Sequence, residues 1–383
     1  MEPKLQDPAE EVRPSASSPV NDSPHESSET RLPENERRGF DWFIIGPHGL
    51  RAGWSILLFV SMYYLFRMIL GTIFYSVGLI GDTSDDSASS VLVAELVPFI
   101  SLFCAALVMA FVEGRRVSSY NLAGPRRLSH FLWGSAAGFA ALSLLVGTLA
   151  WSGWLGFGPA ALSGAQALRF GILWGGAFLV IGAFEEGLFR CYLLFTLTRG
   201  VSFWWTLAAV IAVCLYLFVT GGGNGAWGVY AIAALGLIPC FVLHHKSAAR
   251  SAFWQAAWIT STIFGYYHTH NNGENWIGVF AAGAIGFVFC VSVRLTGSAW
   301  WAIGCHAAWD WAETFFYGTA DSGMQGPGHY LSASPAGNPL WSGGSDGPEG
   351  SLLVLGIILV LLLSLLVFYG RGKALPPDPL SVE

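Results

Sequence analysis

The chain has 383 residues, 53% hydrophobic and only 11% charged, with a formal net charge of -6. Soluble domains carry about 25% charged residues, so this composition excludes an ordinary soluble enzyme and points to the membrane. The basic residues are few and form no continuous patch, which excludes nucleic acid as a partner.

Residues 1–45 are rich in Pro, Ser and Glu and nearly free of apolar side chains. Such a segment buries too little surface to offset its ordering entropy, so a disordered tail is expected there. It lacks the apolar core of a signal peptide. Ten apolar segments follow, at 52–80, 91–113, 129–152, 169–198, 202–220, 226–243, 252–270, 276–293, 297–316 and 351–370. Lipid offers no partner for open backbone groups, and barrel-type alternation is absent, so these are read as helices. The expected fold is all-α, a polytopic membrane helix bundle of about 8–10 transmembrane helices, since each span takes about 20 apolar residues. The stretch "TGGGNGAWG" interrupts the series, and 202–243 reads as two inserted spans. Residues 46–316 form the expected membrane domain, 317–350 a polar extracytosolic loop, and 351–383 the last span with a short cytosolic tail. Six cysteines all lie in apolar segments without CxxC or metal-type spacing and read as small buried hydrophobes.

Orientation follows the basic residues. With the amino terminus in the cytosol, all but Arg67, Arg169 and Arg190 of the 19 Lys and Arg residues fall in the tails or the cytosolic turns. The opposite loops, including "GDTSDDSASS", "HTHNNGEN" and 317–350, hold none. Both termini are therefore expected in the cytosol. Arg169 sits at a span edge and can snorkel; Arg67 is mid-span, with no partner evident from the sequence.

An ionisable group at the bilayer centre costs at least ~2.5–3.5 kcal/mol, which makes it a functional candidate by default. "GAFEEGLFRCYLL" places Glu186 and Arg190 at i,i+4, acid before base, on one helix face. That spacing reads as a structural ion pair and leaves Glu185, about 100° round the helix, to meet another neighbour. "FGYYHTHN" places His268 four residues after Phe264, and "HAAWD" places His306 and Asp310 at i,i+4. A carboxylate able to take a proton from water, an imidazole to position it and donors for an oxyanion are what hydrolysis needs. Counted at 1.5 Å per residue from the cytosolic arginines, Glu185 lies about 21 Å deep, His306 about 18 Å and His268 about 27 Å. A shared plane at or beyond mid-membrane is expected.

These stretches, EExxxR, FxxxH and HxxxN or HxxxD on successive helices, resemble the signature of the CPBP family. That family comprises the CAAX prenyl endopeptidases and bacteriocin-processing enzymes, also called Abi proteins. The resemblance covers roughly 129–316 and implies an intramembrane glutamic endopeptidase acting on a membrane-associated peptide or protein. It implies that Glu185 activates water with help from His268. It also implies that His306 and Asp310 form the oxyanion site, and that Glu186 and Arg190 hold the first motif in place. It implies no cofactor and suggests a bacterial inner membrane. Relatives of the CAAX kind cut prenylated tails, but nothing in this sequence demands a prenyl group. Three features depart from the pattern: Asp at 310, where Asn is commoner, the inserted helices at 202–243, and the long loop 317–350. An ionised Asp310 cannot donate to an oxyanion, so Asp310 must be protonated or must merely orient His306. Two rival readings remain at this stage. One is a metal-dependent membrane hydrolase using the same acids and histidines. The other is a non-catalytic scaffold, immunity protein or transporter.

Overall fold

The computed structural model describes residues 43–46, 49–81, 87–200, 203–220, 227–246, 248–271 and 273–370. The expected amino-terminal tail up to residue 42, the Gly-rich turn 221–226 and the cytosolic tail from 371 lie outside the described residues.

Each of the ten apolar stretches is a helix: α1 (Ala52–Ser76), α2 (Ala88–Val112), α3 (Arg127–Trp151), α4 (Gly164–Gly200), α5 (Phe203–Thr220), α6 (Trp227–Lys246), α7 (Ala248–His268), α8 (Trp276–Thr296), α9 (Trp300–Trp311) and α10 (Leu353–Tyr369). Among the described residues, α1, α2, α3, α4 and α8 are long and apolar enough to cross a membrane. Their ends follow local chemistry. Asn275 caps α8 by accepting from the backbone N–H groups of Ile277 and Gly278, and Gly297 closes it in the left-handed conformation at φ 78°. Two helices change register where the charged motifs lie. α4 passes through a π turn at Gly187–Leu193, and α9 continues as one at Ala312–Tyr317. Such turns recur at functional sites because they re-aim side chains that a regular helix would place elsewhere.

The core has two main parts. Leu142, Leu145 and Leu149 of α3 pack with Val288 of α8, Trp309 of α9 and Ile358 of α10. Phe59 of α1 and Met109 of α2 pack with Tyr192 of α4 and Ala256 of α7. Tyr192 ties the second part together by stacking on Phe59 at 3.7 Å between ring centroids and donating to the Ser55 carbonyl at 3.1 Å.

Glycine sets how closely α3 and α9 approach. A Cβ at Gly134 would collide with the Trp301 carbonyl, and one at Gly138 with the Cys305 carbonyl. From the other side, a Cβ at Gly304 would collide with the Phe131 carbonyl. This small-residue seam lets two backbones touch, the arrangement by which helices associate where apolar burial alone gives no preference. It fixes the position of α9 and therefore of His306.

The segment between α9 and α10 is more than a polar loop. Leu155–Phe157 (β1) pairs antiparallel with Ala333–Pro335 (β2), Leu155 opposite Pro335 and Phe157 opposite Ala333. The Trp174 indole donates to the Pro327 carbonyl at 3.2 Å. At the start of α8, the Asn275 N–H donates to Asp346 Oδ2 at 3.1 Å, and its side-chain amide donates to the Gly350 carbonyl at 3.1 Å. The segment is thus fastened to the turn after α3, to α4 and to α8.

Candidate active site

Glu186 and Arg190, spaced one turn apart on α4, are both fully buried, and Arg190 Nη1 donates to Glu186 Oε1 at 3.1 Å. A charge in such surroundings has to be paired. The guanidinium also lies over the Phe264 ring, 4.2 Å from its centroid, and 5.3 Å from that of Phe289. Gly286 on α8 makes this possible, since a Cβ there would lie 2.5 Å from Arg190 Nη2. Within the π turn that begins at Gly187, the Arg190 carbonyl accepts from the Asn121 side chain at 2.8 Å.

His306 of α9 joins the first and third motifs. Its Nδ1 lies 3.0 Å from Glu186 Oε1, while its Nε2 lies 3.7 Å from Glu185 Oε2 and 3.5 Å from Asp310 Oδ2. Both ring nitrogens therefore face carboxylate oxygens. The ring stacks on Phe289 at 5.7 Å between centroids. Glu185 is not closed off as Glu186 is: its side chain keeps 16% of its surface exposed, against none for Glu186.

His268 sits at the end of α7 with Nδ1 2.8 Å from the Phe264 carbonyl. A carbonyl only accepts, so Nδ1 carries the proton of this bond and the neutral ring keeps Nε2 as its lone-pair nitrogen. Phe264 is the common neighbour of the three motifs. Its ring meets Arg190, lies 4.7 Å from His268 and stands nearly perpendicular to His306 at 6.1 Å. The aromatic position of FxxxH therefore orients two imidazoles and a guanidinium together.

Glu185, His268, His306 and Asp310 line one cavity of about 660 Å³. Of the residues read from the sequence, Glu186 and Arg190 stand behind its wall, and the other four face it. Further lining residues were not identified from the sequence. Glu95 of α2 faces the same cavity and lies within electrostatic reach of both Glu185 and Arg67. Arg67 itself donates to the Tyr63 hydroxyl at 3.3 Å. Asp321, Ser322, Met324, Gln325 and Glu349 line the cavity from the segment between α9 and α10. Burial, then the neighbouring Asp310 and Glu349, pushes the Asp321 carboxyl well above the usual carboxylate range. Glu95 could have been found by the rule that singled out Glu185, a carboxylate inside an apolar run. Asp321 and Glu349 carry no such local signal.

The fold and this cavity define a class: a polytopic helical membrane protein with carboxylate, arginine and histidine groups gathered inside the bundle. Residues 243–312 match the family model described as Rce1-like, type II CAAX prenyl endopeptidase Rce1-like. The match agrees with the resemblance to the CPBP family and spans the second and third motifs, with Glu185, Glu186 and Arg190 outside it. It supports an integral membrane protein of the CAAX-type intramembrane protease kind. No curated protein and no solved structure matches the chain.

Proposed function

We propose that the chain is an intramembrane endopeptidase that hydrolyses a membrane-associated peptide or protein with a glutamate-activated water. The observation that carries the reading is the convergence of Glu185, His268, His306 and Asp310, from three helices, on one cavity. In this reading Glu185, the accessible glutamate, takes a proton as water oxygen adds to the peptide carbonyl carbon. The carbonyl electrons move to oxygen, and protonated His306 steadies the resulting oxyanion through Nε2. Asp310, 3.5 Å from that nitrogen, orients the ring. As the C–N bond breaks, the proton held by Glu185 passes to the leaving nitrogen. His268 uses Nε2 to position the attacking water. Glu186 and Arg190 form the fixed support, held apart from the reacting atoms by their burial.

The distribution of Lys and Arg supports cytosolic termini, and a bacterial inner membrane is the proposed location. The core of the activity is assigned to residues 129–316. The test compares new protein termini, by mass spectrometry, in membranes expressing wild type or Glu185→Ala at matched levels. Termini found only with wild type are expected and would reveal the cleavage sequence. An identical set with both proteins folded refutes the assignment and favours a non-catalytic membrane scaffold.

A further inference from the structure

Beyond the six motif residues, a second group of acids lies where α9 meets the segment that walls the cavity. Glu313, Asp321 and Glu349 each offer a carboxylate oxygen, and these oxygens all lie within 4.8 Å of one another. The group is built rather than incidental. The single indole N–H of Trp309 points between Glu313 Oε2 at 3.1 Å and Glu349 Oε1 at 2.6 Å, turning both carboxylates to one place. Thr314 donates to Asp321 Oδ2 at 3.2 Å, and Ser322 donates to Glu349 Oε2 at 3.2 Å. Glu313 has no exposed surface, and its Oε1 is buried with no hydrogen-bond partner among the described residues. A buried carboxylate oxygen left without a donor is costly. Neither Lys nor Arg occurs between Arg294 and Arg371, and the protonated His306 of this stretch is already engaged by Glu185, Glu186 and Asp310.

We propose that Glu313, Asp321 and Glu349 bind a hard divalent cation of calcium size. Calcium takes carboxylate oxygens at about 2.3–2.6 Å, so two ligands on opposite sides of it stand up to about 5 Å apart, which accommodates the observed spread. Magnesium, at about 2.0–2.1 Å and demanding octahedral geometry, fits less well. The cation joins the π turn after α9 to both ends of the cavity wall, since Asp321 and Glu349 line the cavity and Glu313 stands behind them. Its role is to hold that wall in place. It is separate from water activation at Glu185, and the proposal stands independently of the protease reading.

The test uses the full chain in detergent micelles and Tb³⁺ as probe. Trp309 lies against two of the ligands, so a bound Tb³⁺ should emit when Trp is excited. Saturable emission displaced by Ca²⁺ is expected, with apparent affinity falling at least tenfold in Asp321→Asn and Glu349→Gln. Glu313→Gln should behave alike, and the two partly buried positions keep the test valid if that variant fails to fold. A rise of several degrees in the unfolding midpoint with Ca²⁺ over chelator is the second expected result. Absence of saturable emission, or equal emission from all three variants, overturns the proposal. So does a midpoint that ignores Ca²⁺ yet rises on acidification, because protons then balance the charges.

Discussion

Replacing Arg190 by Met tests the structural half of the site. The substitution keeps much of the side-chain volume but removes the only guanidinium among the described residues in contact with Glu186, a residue with no exposed surface. Removing one partner of a buried pair costs about 3–5 kcal/mol. Loss of the contact with Phe264, at 4.2 Å, belongs within that sum rather than on top of it. His306 Nδ1 remains 3.0 Å from Glu186 Oε1, so the cost should fall near the lower end, about 3 kcal/mol. That lowers the ratio of folded to unfolded protein by roughly 100-fold, a large share of the ~5–15 kcal/mol typical of a native protein. The double variant Glu186→Gln/Arg190→Met removes both charges and should recover to within about 1 kcal/mol of wild type, as apolar replacement of buried pairs often does. Reversible unfolding in mixed micelles, followed by Trp fluorescence, gives all four corners of the cycle. The reasoning is refuted if Arg190→Met unfolds like wild type, or if the double variant is as unstable as the sum of the singles.

Glu185→Gln should lower cleavage by about 10²–10⁴-fold, the usual worth of a general base, while the unfolding midpoint stays within a degree or two; an equal loss of stability and activity would give Glu185 a structural role instead. Phe264→Ala should cost about 3–5 kcal/mol by leaving a cavity among three motifs and should also lower cleavage in the protein that remains folded, measured per folded molecule. Gly138→Val should destabilise by at least about 1–3 kcal/mol, because any Cβ there meets the Cys305 carbonyl; wild-type stability would mean that α3 and α9 are free to separate. Stability should also depend on pH when a chelator is present. Burial first, then neighbouring acids, pushes the Glu274 carboxyl up to about 8, and burial pushes Asp346 up to about 7. Both protonated forms are favoured in the folded state, so their contribution is full below about pH 4 and is lost as pH rises through 7 to 8. The unfolding midpoint should fall across that window, and Glu274→Gln should flatten the fall; a midpoint independent of pH would contradict these shifts.

The helices and three motifs were legible because their signals are local. Ten apolar stretches became ten helices, and i,i+4 spacing placed Glu186 with Arg190 on one face and His306 with Asp310 on another. The depth estimate brought Glu185 and His306 to one level, and their side chains lie 3.7 Å apart. What the spacing could not give was the partner across helices. His306 reaches both glutamates of the first motif, and Phe264 touches groups on three helices, contacts that depend on Gly286 and on the Gly134, Gly138 and Gly304 seam. The π turns at Gly187–Leu193 and Ala312–Tyr317 have no periodicity signal, since the apolar runs continue through them.

The segment 317–350 shows in the sequence only the signal of a polar loop, because its placement is set by long-range contacts, chiefly Asp346 with the start of α8 and β2 with β1. Those contacts change what the cavity can select. The loop contributes Asp321 and Glu349 to a cavity wall that already holds Glu95, Glu185 and Asp310. Among the described residues, no Lys or Arg lines that cavity. With the proposed cation bound, the charge on Asp321 and Glu349 is offset, so repulsion of an acidic peptide by this wall is greatest when the cation is removed. Under the proposed protease reading, the segment 317–350 therefore bears on what can enter the cavity, and the motif residues on the chemistry within it.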